Sequence, residues 1–450
     1  MPGNGGIPPS EPIAAGVVAV AVFLLGRLVI KRVADAERDP WLTKALTVCL
    51  LLHLASAPAQ IWVVDHIYHG VADYTGYVHR ADLLTPGFRH LDFSLAPGHL
   101  PKIVANGSVS IVAAVVFALI GANELGGFFV FSFLAFLGIV FFYRAFVLTF
   151  GGAGKRRYAY LLFYLPNLVF WTSDVSKEAI MTFLLGVIAF GCARVLTYRK
   201  GGYPLIIVAS VGSIFIRPNE LVLALGGFVI AMFIRPVRPG STFEGPRRTF
   251  ALIVLGAMFA VAAVVSVKLL TGHGSLSLTT IAHNNSAGTG SGYNSSLQGY
   301  SASPLAYPKD VYWVLFDPLP FNAHSTSQLL AATENTVILG VVISSWRRLR
   351  ILPRAMLGRP YVALCAAYSV GFLYFFAALA NLGLITRERT VMMPFLLVVL
   401  ALPRGPKDKP PRYEWELRRR QRLAWRRMVA ERRGARAGPG RPQPVGSGAR

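Results

Sequence analysis

Apolar stretches long enough to bridge a lipid bilayer recur along almost the whole chain, and they restrict its fold more than any other feature. A helix needs about 20 residues to cross a hydrocarbon core of roughly 30 Å. Runs near that length fall at 13–30, 44–64, 126–149, 157–172, 178–198, 203–216, 219–235, 248–271, 328–345, 359–381 and 388–403, with a further, ambiguous one at 104–121. No water reaches the backbone inside a bilayer, so each N–H and C=O must be bonded within the chain, and such runs become helices. Only 15% of the residues are charged and 54% are hydrophobic, against roughly 25% charged in a soluble domain. The expected fold is all-α, a polytopic transmembrane helix bundle.

The net charge of +24 would suggest nucleic acid in a soluble protein. Here the cations cluster at the ends of apolar runs and in the C-terminal tail, which is an orientation signal, and no nucleic-acid partner is expected. Lys31/Arg32, Lys155/Arg156/Arg157, Arg199/Lys200, Arg235/Arg238/Arg247/Arg248, Arg347/Arg348/Arg350/Arg354 and the tail all fall on the cytoplasmic side only if 104–121 does not cross. The expectation is about eleven crossings plus one re-entrant or interfacial segment, with the N-terminus outside and the C-terminus inside. A twelve-crossing alternative would put Lys155–Arg157 outside. Residues 1–403 then form the transmembrane domain, with outer loops at 65–103 and 271–327. The N-terminus has neither the basic start nor the small-residue cleavage site of a signal peptide, so the first helix is expected to stay.

The second outer loop opens with "HNNSAGTGSGYNSSLQGYSASP", whose composition cannot bury a core. Asn284, Asn294 and Asn106 stand in N-x-S sequons, which matter only in a glycosylating host. The tail, 404–450, carries fifteen Lys/Arg against four acids. Its "RYEWELRRRQRLAWRRMVAERR" suits a basic helix on anionic headgroups, ahead of a partly disordered end. Cys49, Cys192 and Cys365 lie far apart in apolar runs and are expected to be buried free thiols.

Ionisable residues near membrane depth are costly and therefore informative. The first outer loop supplies "DHIYHGVADYTGYVHRAD", with Asp73, Tyr77, His79 and Asp82. "WTSDVSKEA" brings Asp174, Lys177 and Glu178 to the start of a helix, "IRPNE" brings Arg217 and Glu220, and "NLGLITRERT" brings Arg387, Glu388 and Arg389. Glu334 sits within the apolar run "LLAATENTVILG". Bland roles compete for each: Ser173 or Asp174 as a helix cap, Arg217 and Arg387 as snorkelling anchors or partners of Glu220 and Glu388, the histidines as solvated surface groups. The sequence lacks a phosphate-binding G-x-x-x-x-G-K-[ST] loop, which disfavours ATP-driven transport by this chain alone. Arginines can neutralise a phosphate leaving group by bidentate contact, and a carboxylate can serve as base on a hydroxyl. Group transfer from a lipid-linked phosphate donor suits this set.

The runs "LLFYLPNLVFWTSDVSKEAIM", "IRPNELVLAL", "LFDPLPFNAHSTSQLLAATEN" and "NLGLITRERTVMMPFLLV" resemble, in order and spacing, a group of bacterial membrane proteins similar to GT-C type glycosyltransferases and polysaccharide polymerases. The motifs are short and spread over about 60–403. The resemblance implies a GT-C-like bundle in a bacterial plasma membrane, with an acidic base in the first outer loop. Asp73, in "ADYTGYVHRA", matches that carboxylate by position, and 104–121 matches a membrane-proximal segment. The chain departs from the protein-mannosylating members in having no paired acidic signature in that loop. The polymerase and ligase branch relies instead on outer arginines and a histidine, which would bring Arg217, Arg387 and His79 forward.

The function expected is transfer of a sugar from a polyprenyl-phosphate-linked donor to an envelope acceptor. Asp73 is the candidate catalytic residue, and Arg217, Arg387, Arg389, Lys177, Glu178, His79, Tyr77 and Glu334 are candidates for substrate binding. The cofactor is undetermined, with a divalent metal ion as one option. The alternatives are a non-enzymatic transporter or flippase of a lipid-linked or anionic substrate, in which the same groups line a path, and an envelope-assembly scaffold docked through its tail.

Overall fold

The computed structural model describes residues 10–67, 69–70, 72–93, 106–236, 244–271, 307–376 and 382–404. These form seventeen α-helices and two 3₁₀ turns, with no strand among the described residues. The helices are α1 (Ser10–Glu37), α2 (Pro40–His66), α3 (Asp73–Arg89), α4 (Asn106–Ile120), α5 (Glu124–Phe150), α6 (Lys155–Tyr164), α7 (Pro166–Phe170), α8 (Lys177–Leu196) and α9 (Gly202–Ile216). They continue as α10 (Pro218–Ile234), α11 (Glu244–Thr271), α12 (Tyr307–Phe316), α13 (Thr326–Leu349), α14 (Leu352–Gly358), α15 (Pro360–Phe376), α16 (Leu382–Glu388) and α17 (Met393–Leu400), with 3₁₀ turns at Pro320–Asn322 and Arg389–Val391. Five helices, α1, α2, α5, α8 and α11, are long and apolar enough to cross a membrane, and α4, α9, α10 and α15 are shorter apolar helices.

Helices α5 and α8 form the centre, and small residues set their separation. A methyl group on Gly138 would overlap the Thr182 carbonyl, and one on Gly186 would overlap the carbonyl of Gly138. Helix α8 meets α9 in the same manner, through Gly191 and Gly202. The resulting core is rich in enclosed rings, including Phe128, Phe136, Phe142, Tyr143 and Phe146 on α5. By contrast α1 and α11 turn most of their apolar surface outward, the arrangement of helices that face hydrocarbon. All three cysteines are buried and free.

The two ends of the bundle differ in charge. At one end Lys155 Nζ lies 2.9 Å from Asp39 beside the α1–α2 turn, Arg157 donates to Ser345 Oγ at 2.7 Å, and Arg348 donates to the Leu402 carbonyl. Arg248 donates to the Met232 carbonyl at 2.6 Å, and the Arg235 guanidinium stacks 3.9 Å from the Tyr198 ring, next to Arg199 and Lys200. Lys155, Arg157, Arg235, Arg248 and Arg348 thus mark this end. The opposite end carries α3, α4, the 171–176 link, the Arg217 bend and α16.

Helix α4 packs against α3, α5 and α9. Near its start Ser108 Oγ donates to the Phe215 carbonyl at 2.9 Å, where α9 finishes. Near its close the Phe117 ring abuts Gly127 in the first turns of α5. Ser108 and Phe117 of α4 thus both meet residues at this end of the bundle.

Several boundaries differ from the sequence reading. The run 157–172 is two helices, because Pro166 lacks an N–H and bars its predecessor from the α region; Leu165 is extended at φ −69°, ψ 118°. The run 388–403 likewise divides at the 3₁₀ turn Arg389–Val391, ahead of Pro394. The first loop is not loop throughout: α3 buries Tyr74, Tyr77, Val78, Ala81, Leu84 and Phe88, an i, i+3, i+4 stripe that lays an amphipathic helix on the bundle. Helix α12 occupies part of the stretch 271–327. The cap of α8 is Ser176, whose side chain accepts from Ala179 N at 3.3 Å, in place of Ser173 or Asp174. The Gly/Ser/Asn-rich stretch with Asn284 and Asn294, residues 94–105, and the tail beyond Arg404 lie outside the described residues.

Candidate functional site

Four parts of the chain bring charged side chains together at the end that carries α3 and α4. Pro218 ends α9 and begins α10, so the backbone bends at Arg217, at φ −148° and ψ 85°, and turns its guanidinium back toward α8. There Ser176 caps the helix and places Glu178 in the first turn, where the helix dipole favours a carboxylate. Arg387 and Glu388 close α16. Asp73 opens α3, directly after the 67–72 link from α2.

These groups alternate in sign. Arg387 Nη2 donates to Asp73 Oδ2 at 2.5 Å, while its Nε lies 2.8 Å from Glu178 Oε1. The same Glu178 oxygen accepts from Arg217 Nη2 at 2.7 Å. Arg217 Nη1 in turn ion-pairs with Glu388 Oε2. The order is Asp73, Arg387, Glu178, Arg217, Glu388, and burial is uneven along it. The Glu178 side chain is 2% exposed and that of Arg387 20%, while Asp73 is 57% exposed.

Lys177 is half-buried beside this chain, within electrostatic range of Arg217, Glu388 and Glu178. Asp174 packs behind it, accepting from Gln60 Nε2 at 3.5 Å, with its other carboxyl oxygen buried and unpartnered. Burial pushes the Asp174 carboxyl up to about 7, so it is partly protonated at neutral pH. The Tyr77 hydroxyl donates to Asn106 Oδ1 at 3.3 Å and ties α3 to α4. Burial, and then the charges of Asp73 and Glu178, push this phenol above its ordinary range, which keeps it neutral. Farther along, Tyr368 donates to Glu220, which faces Arg217. Five carboxyl groups therefore surround three cations, and the described partners of both guanidinium forks are carboxylates. Among the described residues no three His, Cys, Asp or Glu side chains group so as to hold a metal ion.

Arg389 and Glu334, expected at the substrate, instead hold each other at 2.7 Å. The Arg389 side chain is 0% exposed and also donates to the Leu315 and Val314 carbonyls of α12 at 3.2 and 3.4 Å. Asn167 on α7 donates to Glu334 at 2.6 Å and to the Thr386 carbonyl at 3.0 Å, and accepts from Thr390. This second network clamps α7, α12, α13 and the 3₁₀ turn, and its arginine has no open face for a ligand. His79 is exposed on α3 and joins no hydrogen bond or ion pair among the described residues.

The structure thus brings together Asp73, Glu178, Lys177, Arg217, Arg387 and Tyr77, with Arg389 and Glu334 in a separate clamp and His79 in neither. The sequence offers Arg217 as a snorkelling anchor or a partner of Glu220; its ion-pair partners, Glu178 and Glu388, come from other helices. Asn167 and Gln60 do not stand out in the sequence, since neutral amides in apolar runs carry no motif of their own. Their signal is the cost of leaving such an amide unbonded in an apolar core. Comparison with protein-family models, with curated proteins and with solved structures finds no match to this chain.

Proposed function

We propose that the chain is a membrane glycosyltransferase of GT-C-like architecture that transfers a sugar from a polyprenyl-phosphate-linked donor to an envelope acceptor. In this reading eleven segments cross a bacterial plasma membrane, the cationic end and the C-terminal tail face the cytoplasm, and α3 and α4 lie on the outer surface. The observation that supports it is the joining of an exposed carboxylate on the surface helix, Asp73, to Arg387 near the last crossing at 2.5 Å. A base and an anion-binding fork thereby share one mouth.

Asp73 accepts the proton of the acceptor hydroxyl as that oxygen attacks the anomeric carbon. The bond from that carbon to the donor phosphate oxygen breaks, and the prenyl phosphate leaves with the electron pair. Arg387 and Arg217, with Lys177 beside them, stabilise the charge on the leaving phosphate. Glu178 orients both guanidinium groups. In this reading Arg389 and Glu334, paired with each other at 2.7 Å, serve to hold the bundle and not the donor.

Incubating the purified full chain with radiolabelled polyprenyl-phosphate sugars and a membrane acceptor fraction tests this reading. Label should pass to the acceptor, and no transfer from any member of a donor panel would count against it.

A further inference from the structure

The acid-rich surroundings of the two arginines restrict how any anion can enter. Asp73, Asp174, Glu178, Glu220 and Glu388 surround Arg217, Arg387 and Lys177. Adding a phosphate to this set without removing anything would place a further anion beside the ion-paired carboxylates of Asp73, Glu178 and Glu388 in a largely enclosed setting, which is strongly unfavourable. An entering phosphate must therefore replace a carboxylate at a guanidinium.

The carboxylates are not equally replaceable. Glu178 is ion-paired with both arginines and is almost fully enclosed. Glu388 is buried against Arg217 with 11% of its side chain exposed. Asp73 has a single guanidinium partner and is 57% exposed, so leaving Arg387 returns it to water at little desolvation cost. It also sits at the first position of α3, just after Gly70, whose φ of +77° marks a turn in the link from α2.

We infer that Asp73 and the donor phosphate compete for the same fork of Arg387, so that donor binding releases Asp73 and unmasks the base. The inference rests on the reading of this site as a phosphate-donor site. It assigns Arg387 to the donor phosphate directly and makes binding ordered, with the donor first and the acceptor hydroxyl second. It also selects the donor's charge. Exchanging one carboxylate for one phosphodiester leaves the charge around Arg387 unchanged, whereas a diphosphate diester brings a second negative charge that only Lys177, which has no ion pair among the described residues, is placed to meet.

The test is equilibrium binding of a radiolabelled fifteen-carbon prenyl methyl phosphodiester to the full chain in detergent, with inorganic phosphate as a parallel probe. Asp73→Asn removes the competitor and should bind the lipid phosphodiester about two- to fivefold more tightly, the range that a solvent-exposed ion pair supplies. Arg387→Lys should weaken binding, and in that background Asp73→Asn should lose most of its effect because no planar fork remains to contest. Tightening of lipid phosphodiester and inorganic phosphate alike would place the competition at the phosphate; tightening of the lipid alone would add a prenyl contact to it. Equal affinity of wild type and Asp73→Asn would overturn the competition while leaving the donor-site reading intact. Persistence of the full effect in Arg387→Lys would overturn it in favour of simple repulsion. Failure of both wild type and Asp73→Asn to bind either probe would remove the donor-site reading and the competition together.

Discussion

Removing Glu178 should unfasten the site more than any other single change in the ion-pair chain. One of its oxygens serves both arginines, Arg217 at 2.7 Å and Arg387 at 2.8 Å, and Glu178→Gln keeps the volume while deleting the charge. The Glu178 and Arg217 side chains are 2% and 6% exposed, so the substitution leaves a buried guanidinium with Glu388 as its remaining ion pair among the described residues. Breaking a buried pair costs about 3–5 kcal/mol, most of it the penalty on the charge left behind. Asp73→Asn breaks a pair that is mostly in water and should cost about 0–1 kcal/mol. Denaturant titration of the purified chain in detergent, followed by tryptophan fluorescence, measures both. Losses for Glu178→Gln as small as those for Asp73→Asn would refute the argument that the buried oxygen ties α8 to the α9–α10 bend and α16.

Gly138→Val should sharply lower thermal stability and yield, because its side chain would enter the space of the Thr182 carbonyl and drive α5 from α8; thermal unfolding in detergent checks this. The Asp174 carboxyl is shifted from 3.8 to about 7. The folded state therefore binds more protons than the unfolded state between those values, and this group's contribution to stability falls as pH rises from about 4 to 7. Asp174→Asn should flatten that part of the pH–stability curve, and an unchanged slope would contradict the assignment. In a background without the three native cysteines, single cysteines at Arg80 and Gly290 should react with an impermeant thiol reagent on intact cells and one at Arg156 should not. The reverse pattern would overturn the proposed orientation.

The all-helical class was legible because apolar runs of bilayer length and sparse charge permit little else. The break between α6 and α7 was also present in the sequence, as Pro166, but a periodic apolar run masks a proline when only its length is weighed. Helix α3 shows the opposite difficulty: its stripe of Tyr74, Tyr77, Val78, Ala81, Leu84 and Phe88 has helical spacing, yet it is too polar to stand out as a span. At the site, residue types could be read and partners could not. Asp73, Glu178, Arg217 and Arg387 stand out because charges beside a bilayer are costly. Which carboxylate meets which guanidinium is decided by how α3, α8, the α9–α10 bend and α16 converge, and a pattern along one chain does not carry that convergence. Arg389 is the clearest case. It adjoins Arg387 and Glu388 in sequence, but the 3₁₀ turn points it into the bundle, where Glu334 and two carbonyls of α12 enclose it.

The most direct measurement of the proposed function is the initial rate of sugar transfer by purified wild type, Asp73→Asn and Arg387→Lys, each given the same radiolabelled polyprenyl-phosphate sugar. Loss of a general base typically lowers a rate by about 10²–10⁴. Asp73→Asn should fall by that much with the protein folded and inserted, and Arg387→Lys should fall sharply because a point charge replaces the planar fork. Asp82→Asn, farther along α3, should be mild. Full transfer by Asp73→Asn together with its loss on Arg387→Ala or His79→Ala would shift the chemistry to an arginine-centred, polymerase-like mechanism, and full transfer by all of these variants would contradict the site itself.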